Sequence, residues 1–143
     1  MNDLPSSGLY KKGSLDLYEL LRESLMSQTG ESGIVLSYFG ITKRFSEKPV
    51  KKLVIEAYKE YADIALKKIC ENAIENHSLN DCRIFHLEGQ FDPGEPIVLI
   101  IVSSRSRVGA LSAMPEVVER YKKEPTIWKK EIYDDGTSKW IKE

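Results

Sequence analysis

Three stretches of the chain carry apolar residues at the three- and four-residue steps of a helix. In the first, Leu15, Leu17, Tyr18, Leu21 and Leu25 fall on one face, Ser14 stands where a cap belongs, and the polar Gln28-Thr29-Gly30 closes it. In the second, over residues 59–76, Tyr61, Ile64, Ala65, Ile69 and Ile74 form the inward face, with Lys and Glu elsewhere. The third covers residues 107–124, with Val108, Leu111, Val117, Val118 and Tyr121 inward. Pro115 lacks a backbone donor and crowds the preceding turn, so it is expected to restrict or interrupt the first half of this helix.

Short β-branched and aromatic runs predict strands at residues 33–40, 50–58, 82–87 and 96–103. The polar loop between the first two makes them candidates for antiparallel neighbours, and Asp92-Pro93-Gly94 breaks the chain between the last two. Residues 126–133 and 138–142, joined by Asp134-Asp135-Gly136, predict a hairpin closed by a type I turn with a glycine. Residues 1–13, with Pro5, Ser6, Ser7, Gly8 and Gly13 and little periodicity, have the composition of a mobile N-terminal arm, which leaves residues 14–143 as a single domain. Strands outnumber helices and no regular βαβ alternation runs through the chain. The expected fold class is therefore α+β, a largely antiparallel sheet with two to three helices.

A chain of 143 residues buries one hydrophobic core without help from disulfides or metals. Its formal charge of −1 leaves no whole-molecule field for nucleic acid or a membrane surface, so any basic site is local. Cys70 and Cys82 match neither a secreted disulfide framework nor paired C-x-x-C zinc spacing, and read as buried free thiols in a reducing compartment. The first residues lack a basic region followed by an apolar run, and residues 97–102 are too short to span a bilayer. The expectation is a soluble cytoplasmic protein.

Three groups of residues carry candidate chemistry. Ser103-Ser104-Arg105-Ser106-Arg107 stands where an apolar strand gives way to a helix, a place where backbone N–H groups and guanidinium forks hold an anion such as phosphate. A solvated turn whose serines merely cap the helix explains the same residues equally well. Lys122 closes a helix and Lys129 stands on the following strand, so a turn between them brings two ammonium groups to one pocket, where each would depress the other's pKa. Lysines at a helix C-terminus and along an edge strand are also ordinary solvated features. Gly40-Ile41-Thr42-Lys43-Arg44 ends the first strand with two cations beyond a glycine, or is a plain strand exit. His86 and His77 have no partners at metal spacing and read as a core and a surface histidine; no metal and no cofactor is expected. Gly-rich phosphate loops, G-x-S-x-G and H-E-x-x-H are absent from the sequence.

Taken together, Glu56-Ala57-Tyr58, His86-Leu87-Glu88-Gly89, Gly94-Glu95-Pro96-Ile97-Val98, Ser103 to Arg107 and Pro125-Thr126-Ile127-Trp128-Lys129-Lys130-Glu131 resemble the molybdopterin synthase catalytic subunit family in order and spacing. The likeness runs from about Gly33 to Ile141, and its most specific piece is Trp128 to Glu131. The resemblance implies an α/β hammerhead-type fold and a homodimer in which each copy receives a ubiquitin-like sulfur-carrier small subunit, making a heterotetramer. The carrier's C-terminal glycine thiocarboxylate would deliver sulfur to cyclic pyranopterin monophosphate. By position the family's two pocket lysines fall on Lys122 and Lys129, with Lys130 and Glu131 completing the segment. Its histidine-arginine pair falls on Ser106 and Arg107, and its arginine after the first strand on Lys43, with Arg44 adjacent.

Two positions depart from the family pattern. Lys43 keeps a charge but not the bidentate fork, and Ser106 supplies no imidazole, so Arg105 and Arg44 are the neighbours available to rebuild the substrate contacts. The competing reading is a non-catalytic homologue that holds a ubiquitin-like carrier as a scaffold. A nucleic-acid module using Arg105, Arg107, Lys122, Lys123, Lys129 and Lys130 is disfavoured by the near-neutral charge.

Overall fold

The structure, a computed structural model, describes residues 4–141. In chain order these form β1 (Gly8–Lys11), α1 (Leu17–Met26), β2 (Ile34–Ile41), β3 (Val50–Ala57), α2 (Lys59–His77), β4 (Asp81–Phe91), β5 (Pro96–Ser104), α3 (Arg107–Lys123), β6 (Ile127–Tyr133) and β7 (Ser138–Ile141). The strands make one sheet in the order β2-β5-β4-β3-β6-β7, with β1 laid parallel along β4 and every other pairing antiparallel. The α+β class with three helices stands as expected.

β5 is buried from Ile97 to Ser104, which explains its unbroken apolar run: it needs a strand on each edge and a layer on each face. Neighbouring strand residues point to opposite faces, and β2 shows which helix covers which. Tyr38 meets Tyr121 of α3 edge-on, whereas Phe39 lies against Tyr18 of α1. Thus α1 covers one face of this half of the sheet, and α3 lies on the other beside α2. β4 pairs with β5 and β1 along its first part and passes to β3 at Gly89–Phe91. The handover occurs at Gly89, whose φ of +133° favours glycine.

The sequence-based expectations needed several corrections. Over residues 4–13 the N-terminal segment is not an arm outside the core. From Leu4 on it belongs to the core: Leu9 is 0% exposed, β1 hydrogen-bonds along β4, and Arg83 Nη1 donates to the carbonyls of Leu4 and Pro5. A four-residue strand is too short to show a period, and its Pro, Ser and Gly neighbours read as loop; residues 1–3 lie outside the described residues. β2 and β3 do not pair. β2 borders β5, and β3 lies between β4 and β6, because the fully buried β5 takes β2 as its outer neighbour.

The helical faces are also rotated. In α2, Tyr61 and Ile64 are exposed, and Ala62, Leu66, Ile69, Cys70 and Ala73 are buried; in α3, Val108 and Leu111 are exposed, and Ala110, Ala113, Val117 and Tyr121 are buried. α2 and α3 pack against each other, and close approach selects alanines, which a count of large apolar residues overlooks. α1 is capped by Asp16 rather than Ser14: Asp16 Oδ1 accepts from the N–H groups of Tyr18 and Glu19 at 3.0 and 3.2 Å. Its Tyr18 and Leu25 are exposed, and Leu17, Leu20 and Ser24 turn inward. α3 runs through Pro115 without a break. The carbonyl that would have served Pro115 belongs to exposed Leu111, where water can substitute for the lost bond. The β6–β7 hairpin forms as expected, with Gly136 at φ +87° in its turn; Lys142 lies outside the described residues. Cys70 and Cys82 are buried and free.

Candidate active site

α3 ends one residue after Lys122, and β6 begins after a three-residue turn, so Lys122 and Lys129 come back toward each other. Alternation along β6 buries Lys129, Glu131 and Tyr133 on one side. Lys129 is only 7% and Glu131 only 6% exposed. Both lysines line a cavity of about 370 Å³ together with His86, Tyr121, Trp128 and Trp140. They also line an adjoining cavity of about 400 Å³, where Tyr38, Lys43, Ser46 and Glu131 join them. The sequence-predicted Lys43, Lys122, Lys129 and Glu131 are therefore brought together, with Tyr121 shared between the two spaces.

Buried charges persist only where hydrogen bonds or opposite charges meet them. The Tyr133 hydroxyl donates to Glu131 Oε1 at 2.9 Å. Burial and this carboxylate push the Tyr133 hydroxyl up to about 12. Lys43 sits on a loop held from several sides. Lys48 Nζ pairs with Asp135 at 2.9 Å and Lys139 Nζ with Glu47 at 2.7 Å, and the Val50 N–H donates to the Arg44 carbonyl at 2.8 Å. The exposed pairs contribute little stability each, but together they fix the loop against the β6–β7 hairpin.

The remaining sequence-predicted residues lie elsewhere. Arg44 lines none of these spaces, and Lys130 points to the other side of β6, its Nζ 5.6 Å from the centre of the Trp140 ring. Arg105, Ser106 and Arg107 are exposed at the far end of β5. Ile97 lines the cavity, and Arg105 follows eight positions later, roughly 26 Å away at the rise of a strand. Within one copy of the chain they do not reach Lys122. At that junction Ser104 Oγ caps α3 by accepting from the Ala110 N–H at 3.0 Å.

Sequence reasoning missed His86 and Tyr121 as parts of the site, because both read as core residues. His86 is fully buried, yet it borders the cavity. Its Nδ1 lies 2.9 Å from the Leu87 carbonyl, which can only accept, so Nδ1 carries a proton. Its ring centre is 5.9 Å from that of Tyr121. His86 stands in one of the segments that resemble the family, but the strand register that brings β4 beneath the end of α3 is what sets it beside Tyr121, and that is not local. Among the described residues, no group of three or more His, Cys, Asp or Glu side chains is arranged to hold a metal ion. The arrangement places buried Lys129 and exposed Lys43 and Lys122 around a half-open, part-aromatic space, which suits an anionic substrate with a flat ring system.

The MoaE protein family matches residues 11–124. The chain belongs to this family. Among its relatives, the molybdopterin synthase catalytic subunit of Pyrococcus abyssi is 31% identical over 118 residues, covering 82% of this chain and 79% of that protein. The subunit of the same name from Aspergillus niger is 36% identical over 110 residues, of which the chain spans 76% of its own length and 61% of the relative's. The structure of molybdopterin synthase from Staphylococcus aureus superposes with a TM-score of 0.85 at 27% identity, covering 98% of this chain and 99% of that one. A complex of subunits 1 and 2 of the molybdopterin-converting factor from Helicobacter pylori has the same fold, with a TM-score of 0.78 at 20% identity over 95% of this chain and 90% of that chain. The MoaE match takes in all of α2, β4, β5 and α3, and with them His86, Tyr121 and Lys122.

Proposed function

We propose that this chain is the catalytic subunit of a molybdopterin synthase, a sulfurtransferase of molybdenum cofactor biosynthesis. It takes sulfur from the thiocarboxylated C-terminus of a small ubiquitin-like carrier subunit and places it on cyclic pyranopterin monophosphate. The observation that carries this reading is the meeting of Lys122 and Lys129 in one cavity, with Lys43 and Glu131 in the adjoining space. The thiocarboxylate and the substrate phosphate are both anions, and a buried ammonium group such as that of Lys129 stabilises negative charge far more than an exposed one does. In this reading Lys122 and Lys129 act at the transfer step, while Lys43 and Glu131 hold substrate or tail. The roughly 26 Å between the cavity and Arg105, Ser106 and Arg107 means that these residues serve the site only from the second copy of a homodimer. The carrier subunit then completes a heterotetramer. No helix among the described residues is long and apolar enough to cross a membrane, and we assign the enzyme to the cytoplasm.

The test is single-turnover conversion of cyclic pyranopterin monophosphate with a thiocarboxylated carrier, read as the oxidised fluorescent pterin. Wild type should form product. Lys122→Ala should lower the rate by about 10²–10³ with its unfolding midpoint unchanged, the scale seen when one charge-stabilising group is removed. Near-normal product from the variant would place the chemistry elsewhere. Carrier binding without any wild-type product would instead favour the scaffold.

A further inference from the structure

The β6 face that buries Lys129 and Glu131 continues to Tyr133, which is buried as well. Tyr133 borders neither of the spaces that Lys122 and Lys129 line, whereas Glu131 borders the one of about 400 Å³. Two positions apart on one strand face, the two side chains meet: among the described residues, the Tyr133 hydroxyl is the group that donates to the Glu131 carboxylate, and it does so at Oε1. A phenylalanine would fill the same interior volume. What the hydroxyl adds is a bond to a residue of the site.

Tyr133 is itself held from both sides. Its N–H donates to the Thr137 carbonyl at 2.8 Å, and Lys48 Nζ stands 5.6 Å from the centre of its ring. Lys48 is anchored in turn by Thr137 Oγ1 at 3.1 Å, and the Asp134 N–H donates to the Pro49 carbonyl at 3.1 Å. The ring thus sits between the β6–β7 turn and the loop that carries Lys43, which restricts the swing of its hydroxyl. The terminal torsion of a glutamate is broad, so burial alone does not decide which oxygen faces the cavity. A bond from a fixed donor does decide it, and bonds to a charged acceptor are the stronger kind.

We propose that Tyr133 is a positioning residue for sulfur transfer: its hydroxyl holds one oxygen of Glu131 and so turns the other toward the space shared with Lys43 and Lys129, while Tyr133 itself touches no substrate. The inference rests on the reading of this cavity as the sulfur-transfer site. It extends the functional unit to the β6–β7 hairpin and the loop against it.

The experiment is a double-variant cycle on the single-turnover rate, with thiocarboxylated carrier in excess and the pterin below saturation, for wild type, Tyr133→Phe, Glu131→Ala and the pair combined. Circular dichroism at the assay temperature establishes that each is folded, and Glu131→Leu, which keeps most of the volume, gives a second background should the alanine variant unfold. Tyr133→Phe is expected to slow transfer about tenfold in the wild-type background, the effect of one hydrogen bond to a charged group. In either Glu131 background the same change should alter the rate by less than about twofold, since the group it acts through is gone. A general loosening of the fold would slow all backgrounds alike. Equal slowing in both backgrounds therefore overturns the proposal, as does a wild-type rate in Tyr133→Phe. Wild type that forms no product overturns the transfer reading and this role with it, whereas normal wild-type turnover without coupling between the two positions overturns the role of Tyr133 alone.

Discussion

Gly40→Ala probes the wall between the sheet and the site. Gly40 lies opposite Val98 in the β2–β5 pairing, and a Cβ placed on it would stand 2.6 Å from Val98 Cγ1, 3.5 Å from Ile97 Cγ1 and 3.6 Å from the Tyr121 hydroxyl. Carbon atoms settle at about 3.5–4.0 Å, so the overlap with Val98 is about 1 Å. Gly40 is not among the glycines with positive φ, and backbone preference alone would favour alanine in a strand by about 0.5–1 kcal/mol. The clash decides the sign. Val98 is fully buried and stiff at χ1, and overpacking of this kind costs about 1–3 kcal/mol. The net loss should be about 0.5–2 kcal/mol, a fall in Tm of roughly 2–8 °C for a domain of this length. Urea denaturation of Gly40→Ala, Val98→Ala and the double variant measures it. Because Val98→Ala removes the clashing methyl, the double variant should be more stable than the sum of the singles predicts by about 1 kcal/mol. Gly40→Ala as stable as wild type, or strict additivity, would refute the close approach. Tyr121 borders both cavities, so the same variant should also slow turnover.

Leu9→Ala, at a position first assigned to a mobile arm, should cost about 2–5 kcal/mol in urea denaturation, since Leu9 is fully buried in β1; no loss would show that β1 is not docked. Tyr133 holds its proton in the folded state up to about 12, against about 10 when unfolded, so folded protein binds the extra proton between those values. Its stabilising contribution is complete below about pH 10 and is lost as pH rises toward about 12; Tyr133→Phe should show a shallower fall of the denaturation midpoint across that window, and parallel curves would contradict the assignment.

Most elements were legible in the sequence because their signals are local. The unbroken run of β5, the Asp134-Asp135-Gly136 turn and the helical periods of α1, α2 and α3 each follow from adjacent residues. What failed was set by distant contacts. Asp81 to His86 of β4 has β5 on one edge, and part of the other edge is filled by β1, a segment with no apolar period of its own. The inward faces of α2 and α3 carry alanines because the two helices touch, which no single helix records. In the site, the likeness to the family marked Lys122, Lys129, Lys43 and Glu131, and the cavities gather those four. His86 read as a core histidine, and its burial against the space that Lys122 and Lys129 line gives it a role.

The placement of the two positively charged regions bears on how the molecule works as a whole. α3 carries Arg107 at its first residue and Lys122 in its last turn, and a helix of 17 residues is about 25 Å long. One pterin phosphate cannot span that distance, so within a single copy the two ends are separate. In the proposed homodimer, a second copy related by twofold symmetry would present the Arg105 to Arg107 end of its α3 to the first copy's cavity, with the reverse contact following by symmetry. Under that geometry the change to Ser106 sits at the periphery of the site, while Lys122 and Lys129 remain at its centre. In that arrangement Arg105 and Arg107 would carry the charge that meets the phosphate. Arg107→Ala should accordingly raise the pterin KM and leave the carrier KM alone in steady-state kinetics, and an unchanged pterin KM would remove Arg107 from the site.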